Sequence, residues 1–280
     1  MVRAWSLAIL IGLAATATAA EPARFKFDKE QVLTYNVVQT TKATETVIDE
    51  KTSKPVEQEH FTKHTVVRQW KVADIDAKGV ATLEMTIASM KWEHKGPNGD
   101  TDLFDSSKPD DLNKNEMAKW VGPVLAVVRL DTQGKLIEVK ESKFGSPNRF
   151  AVDLPFKIVL PESGPKEGQT WDRTFTIKLD PPQGTGETYE AIQKYTAKAA
   201  VNGYTTIGLS TIVKDMPTQA GDQIPLLPML MEGDVYFHET AGRYVAARLK
   251  IKKEILNHQG EGTKYLFEST YAEDLKVEKK

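Results

Sequence analysis

The chain of 280 residues contains no cysteine. That excludes disulfides, a thiolate zinc site, a thiol nucleophile and a lipobox-type acyl anchor. A domain without staples is held by burial alone, which this length permits. Long apolar runs are scarce as well. After residue 20 nothing approaches the roughly 18 consecutive apolar residues of a membrane span. Charge of one sign is also missing: 37 Lys and Arg stand against 39 Asp and Glu. The net charge of −2 removes the basic surface that nucleic-acid binding needs.

What is present begins with residues 1–20, MVRAWSLAILIGLAATATAA. Arg3 forms a short basic start, residues 4–13 are apolar apart from Ser6 and Gly12, and small residues allow cleavage after Ala19 or Ala20. This is the pattern of a secretory signal peptide, too short to remain as a membrane-spanning helix. The expectation is an exported protein, periplasmic or extracellular, with no permanent membrane anchor.

Period-two alternation recurs along the rest. Leu33, Tyr35 and Val37 alternate with polar residues; so do Val66, Trp70 and Val72, with Arg68 filling a gap in the row. Leu83, Met85 and Ile87 repeat the pattern, as do Phe175 and Ile177, Ile207 and Leu209, Ala247 and Leu249, and Phe267 and Tyr271. Strands of this kind bury one face and wet the other, which means antiparallel sheet. Turn signals such as Asn98-Gly99, Asp131-Thr132-Gln133-Gly134 and Asn202-Gly203 separate them.

The expected class is mainly β: a large antiparallel curved sheet, barrel-like or sandwich, of about ten to twelve strands. One short helix is embedded at about 109–121. Ser107-Lys108-Pro109-Asp110 reads as its N-cap box, Leu112, Met117, Trp120 and Val121 as its apolar stripe, and Gly122-Pro123 as its stop. The charged stretch 45–60 reads as a mobile loop or hairpin tip. Proline density over 155–165 reads as connections and edges. It divides an N-terminal β half at 21–150 from a C-terminal β half at 165–280, as two units or as one continuous domain 21–280.

The middle of the chain carries a resemblance. Residues 126–131, AVVRLD, lead through a turn at Gly134 into a second strand, followed by Leu160-Pro161 and then Gly168-Gln169-Thr170-Trp171. This strand–DxxG–strand, LP, GxxW arrangement over 110–180 resembles the DUF6263-like group, an uncharacterised family of secreted bacterial proteins of planctomycete type. The resemblance implies an exported, β-rich envelope protein and carries no activity with it.

No catalytic residue, metal site or cofactor emerges from the motifs. His60 and His64 have HxxxH spacing, but their neighbours read as strand. Two imidazoles four strand residues apart stand about 13 Å from each other, too far for one ion. His94, His238 and His258 are scattered. Asp100, Asp102 and Asp105 lack the spacing of a calcium loop and read as solvated turns.

The unusual stretch is 224–231, IPLLPMLM, with six large apolar side chains, two prolines and no alternation. An apolar loop must meet something other than water. Either it completes the core, or it lines or gates an apolar cavity or docks a hydrophobic partner. Ile224, Leu226, Leu227, Met229, Leu230 and Met231 are therefore candidate ligand contacts, with Trp120 on the helix expected to cover the same shell. Two functions follow. One is a β shell binding an apolar or lipid-like ligand; the other is a structural or protein-interaction module of the envelope, with an envelope protein as partner. A hydrolase is the third.

Overall fold

The computed structural model describes residues 21–276, with Phe144 excepted; the expected signal segment lies outside the described residues. Twelve strands form one antiparallel sheet: β1 (Val32–Ile48), β2 (Pro55–Ile75), β3 (Ala81–Lys95), β4 (Thr101–Asp105), β5 (Val124–Leu130), β6 (Leu136–Ser142), β7 (Thr170–Lys178), β8 (Thr188–Val201), β9 (Tyr204–Val213), β10 (Glu232–His238), β11 (Arg243–Leu256) and β12 (Lys264–Leu275). Their spatial order is β6-β5-β3-β2-β1-β12-β11-β10-β9-β8-β7, with β4 paired to β3. The first and last strands thus lie side by side in the middle. One wing runs outward from each.

The alternation read in the sequence is the reason for this architecture. Leu33, Tyr35 and Val37, Trp70 and Val72, Leu83 and Met85, Ile207 and Leu209, and Ala247 and Leu249 are all buried on the inner face. Bulges at Val67/Arg68, Met85/Thr86 and Tyr236/Phe237 break the ladder and add coil. The sheet curls but does not close. A four-residue helix, α2 (Arg149–Val152), bridges the gap, touching both edge strands β6 and β7. Asn148 Nδ2, at its start, donates to the Thr176 carbonyl of β7 at 3.2 Å.

Two expectations need correction. The segment 109–121 is two pieces: α1 (Pro109–Lys114), then a 3-10 helix at Glu116–Trp120. Asn115 separates them, because its Oδ1 accepts from Met117 N at 2.9 Å and caps the second piece. Ser107 caps nothing; its hydroxyl donates to Asp105 Oδ1 at 2.7 Å. The stretch 45–60 is mostly ladder, β1 and β2 being paired from Ile48 and Pro55 inward; the turn is confined to 49–54, where Asp49 accepts from the Lys51 and Thr52 amides.

The proline-rich stretch is a connection outside every strand, as expected, but its residues 154–160 run through the interior. Leu154, Phe156, Lys157, Ile158 and Leu160 are all buried. The Phe156 ring lies 5.5 Å from that of Phe25, 5.9 Å from Trp70 and 6.0 Å from both Tyr35 and Tyr244. The segment cannot join the ladder, so its backbone groups find partners elsewhere, as burial demands. Leu160 N donates to the Gln133 carbonyl at 2.8 Å, Gln133 Nε2 returns to the Leu160 carbonyl at 2.9 Å, and Trp171 Nε1 donates to Val159 O at 2.7 Å. Gly134, in the DxxG turn, is required by this plug. With φ at +82°, a Cβ there would stand 2.5 Å from the Phe25 ring and 2.9 Å from the Ile158 carbonyl.

Candidate functional site

The plug fills one end of the curled sheet. Further along the same strands the inner face stays open, and the space has two lobes. The larger, of about 520 Å³, lies over β11 to β8, where Leu249, Leu209 and Thr211 face inward. The smaller, of about 190 Å³, lies over β3 and β2, against Met85, Ile87, Val66 and Trp70. Both are bounded by Gln39 of β1, Tyr271 of β12, and Arg149 and Asp153 at the two ends of α2. The floor of β1 and β12 therefore runs on beneath α2. Val152 of that helix faces the large lobe; Phe150 and Pro155 face the small one.

Where the lobes meet, the interior is charged. Arg68 donates to Glu273 at 2.6 Å and to the Tyr271 hydroxyl at 2.8 Å. Glu273, fully buried, also accepts from the hydroxyls of Tyr244 and Tyr271. Burial opposes the Arg68 charge, but Glu273 and then Tyr271 outweigh it and raise the guanidinium above its ordinary value. The tyrosines move upward too, first through burial and then through the Glu273 charge. Both stay neutral donors. Arg68 Nε has no hydrogen-bond partner.

Lys157 reaches the same place from the plug. It is bonded to Asp153, and its Nζ lies 4.4 Å from the centre of the Tyr271 ring. Asp153 lies within the curl of the sheet yet is 56% exposed, because it opens onto the hollow. Enclosure works to raise its pKa; Lys157, with Arg68 and Arg149 behind it, wins and holds the carboxyl below the usual carboxylate range. The chemistry on offer is recognition: a trough with an apolar side and fixed charges at its waist.

The candidates from 224–231 are divided by this geometry. The stretch is a 3-10 helix, Ile224–Met229, following α3 (Ala220–Gln223). Met229 and Met231 lie on the wall of the large lobe, beside Pro225 and Pro228. Leu226 is turned away into a cluster with Phe175, Ile177 and Val213, and Leu227 into another with Ile255 and Phe267. Leu230 packs against both clusters and Ile224 against the second. Trp120 packs against the main core and lines neither lobe. The 3-10 turn, in which residues three apart share a side, accounts for the pairs Ile224 with Leu227 and Pro225 with Pro228.

Sequence reasoning missed the charged waist. One signal was present: Arg68 sits in the inward phase of an otherwise apolar row. Glu273 likewise continues the row Phe267, Ser269, Tyr271, all buried. Among the described residues no group of three His, Asp or Glu side chains comes together to hold a metal ion. His60 and His64 both lie on β2, and His64 lines the small lobe. No helix among the described residues is long and apolar enough to cross a membrane.

No family model matches the chain, and no curated protein matches it. Among solved structures the chain is similar to lipovitellin, in a structure concerned with lipid–protein interactions. The identity is 12% and the TM-score 0.45, over 90% of this chain and 26% of lipovitellin, so the chain spans about a quarter of that protein's length. It is also similar to the Salmonella SPI-1 type III secretion injectisome secretin InvG in its open gate state. There the identity is 10% and the TM-score 0.14, over 89% of this chain and 61% of that one. Neither likeness is near enough to carry an argument about function.

Proposed function

We propose that the protein is an exported binding protein that holds one apolar, lipid-like molecule inside its curled sheet. The observation that carries this reading is the large lobe. At about 520 Å³ it falls within the roughly 300–1,000 Å³ of small-molecule sites. Its wall sets Leu209, Leu249, Met229 and Met231 against polar groups that include Arg149, Asp153, Lys178 and Asp180. Protein interiors are otherwise close-packed, so a hollow of this size in a core built from twelve strands stands out. Methionine suits such a wall, since its flexible thioether adapts to varied apolar shapes.

Native mass spectrometry of the protein purified gently from its exported form tests the proposal. The expected result is a reproducible added mass that disappears on denaturation. Leu249→Trp, which fills the lobe, should lose that mass while keeping the far-UV spectrum and cooperative melting of the parent. A clean apo mass from several preparations would overturn the reading in favour of an envelope scaffold.

A further inference from the structure

We infer that Gln193 and Thr211 form a carbonyl-recognition site on the wall of the large lobe, and that the molecule held there is an uncharged acyl lipid bound through its ester or amide oxygen. The inference rests on the binding reading above and names the ligand class for it.

Three observations converge. First, the Gln193 amide has a fixed orientation. The residue lies on β8, is only 8% exposed, and lines the large lobe. Two donors converge on one atom of its amide, the Tyr195 hydroxyl at 2.6 Å and Arg173 Nε at 2.7 Å. An amide atom that takes two donors is the oxygen, so the NH2 group is the one turned away from them. Arg173 is held in its turn. Its other two nitrogens donate to the carbonyls of Ala151 at 2.5 Å and Val152 at 2.9 Å, and its carbon lies 4.3 Å from the Phe175 ring centre.

Second, the NH2 group is not used up. Its one contact is the hydroxyl of Thr211, directly opposite on β9, at 3.4 Å, which is long for a hydrogen bond. Nε2 carries two hydrogens, so at least one has no partner, and the hydroxyl proton of Thr211 has none. Thr211 lines the same lobe. A carbonyl oxygen, with two lone pairs, accepts from both donors at once.

Third, the charges of the lobe are matched among themselves. Lys178 pairs with Asp180 at 2.7 Å and Lys157 with Asp153, and Arg149 is not free either. The donors left over are neutral. A carboxylate placed on them would carry an uncompensated charge into the interior, whereas an ester or amide oxygen would not. From Thr211 the wall continues at Leu209, two residues along the same face. One cross-strand row then leads from Leu209 through Gly233 to Leu249 and Tyr271, and the acyl chain lies along it.

The test compares two compounds that differ only in the carbonyl, the monoglyceride of dodecanoic acid and the glycerol ether of dodecanol. Both are read by displacement of Nile red from the intact protein. The parent should bind the ester about fivefold more tightly than the ether, equivalent to about 1 kcal/mol. Gln193→Glu keeps an oxygen for Arg173 and Tyr195 and sets a second oxygen where the NH2 group was. It should melt no lower than the parent and bring the ester-to-ether ratio to about one or below. Thr211→Val keeps the shape, removes the hydroxyl, and should lower the ratio to about two while leaving the ether unchanged; it decides the question if the first variant fails to fold.

Equal binding of the two compounds by the parent, or a ratio unmoved in the variants that fold, overturns the carbonyl site and leaves the binding reading standing. A parent that takes up neither the dye nor either compound overturns both.

Discussion

On β1, Leu33 and Tyr35 point into rings: Tyr35 lies 6.0 Å from Phe156 and 5.4 Å from Tyr244. Two and four residues further along the same face, Val37 and Gln39 point into open space. The strand is equally regular in both places and alternates in the same phase. What differs is the layer laid over it. At one end the plug 154–160 and the irregular segment around Phe25 cover the inner face; at the other α2 and the 224–231 turn do. A curled sheet supplies a concave surface and does not specify whether it is filled. Filling depends on segments that belong to no strand.

Substitutions at the two ends should break or sharpen that contrast. The largest effect is expected at the plug itself. Phe156→Ala removes a ring in contact with at least four others and should cost about 4 kcal/mol in urea unfolding. A loss under about 1.5 kcal/mol would mean that the plug is not what fills this end.

Next comes one substitution made at both ends. Leu83→Ala, in the packed end, leaves an enclosed void and should cost about 3 kcal/mol, whereas Leu209→Ala merely widens an existing space and should cost about 2 kcal/mol or less. Equal losses measured side by side would contradict the difference in filling.

The smallest effect concerns pH. His64, on the wall of the small lobe, has its pKa lowered by burial. The unfolded imidazole takes up its proton first as pH falls through about 6.5. The stability linked to neutral His64 is therefore complete above that value and declines as pH falls below it. His64→Gln should flatten the dependence of melting temperature on pH between about 7 and 5. Parallel curves for parent and variant would show that the small lobe is wet enough to hold a charged imidazole.

Much of the fold was legible because it is local. Alternation marked the inner rows, and Asn98-Gly99 and Asp131–Gly134 marked their turns. Gly99 and Gly134 do adopt positive φ, at +79° and +82°. Strands β4, β8 and β10 were less visible: β4 is short and acidic, and the inward row of β8 (Ala191, Gln193, Tyr195, Ala197) mixes small and polar residues. The plug was legible as a connection only, because proline and the absence of period two signal exclusion from a ladder. They carry no information on depth.

The site divides along the same line. Met229 and Met231 were marked by composition, and the tertiary structure decided that they face the lobe while Leu226 and Leu227 face the core. Asp153, Lys157 and Arg173 were ordinary surface charges in one dimension, and Arg68 was marked only by its place in an apolar row. Their roles arise from contacts such as Arg68 with Glu273, 205 residues apart, and Arg173 with Ala151, 22 apart.

The amino-acid order by itself determined a one-sided antiparallel sheet, because side-chain alternation and turn chemistry act over a few residues. Only the tertiary structure decided that β12 returns to pair with β1, that 154–160 goes inside, and that a charged waist and a hollow remain. Those outcomes depend on which distant surfaces meet, and burial rewards any apolar surface without naming its partner.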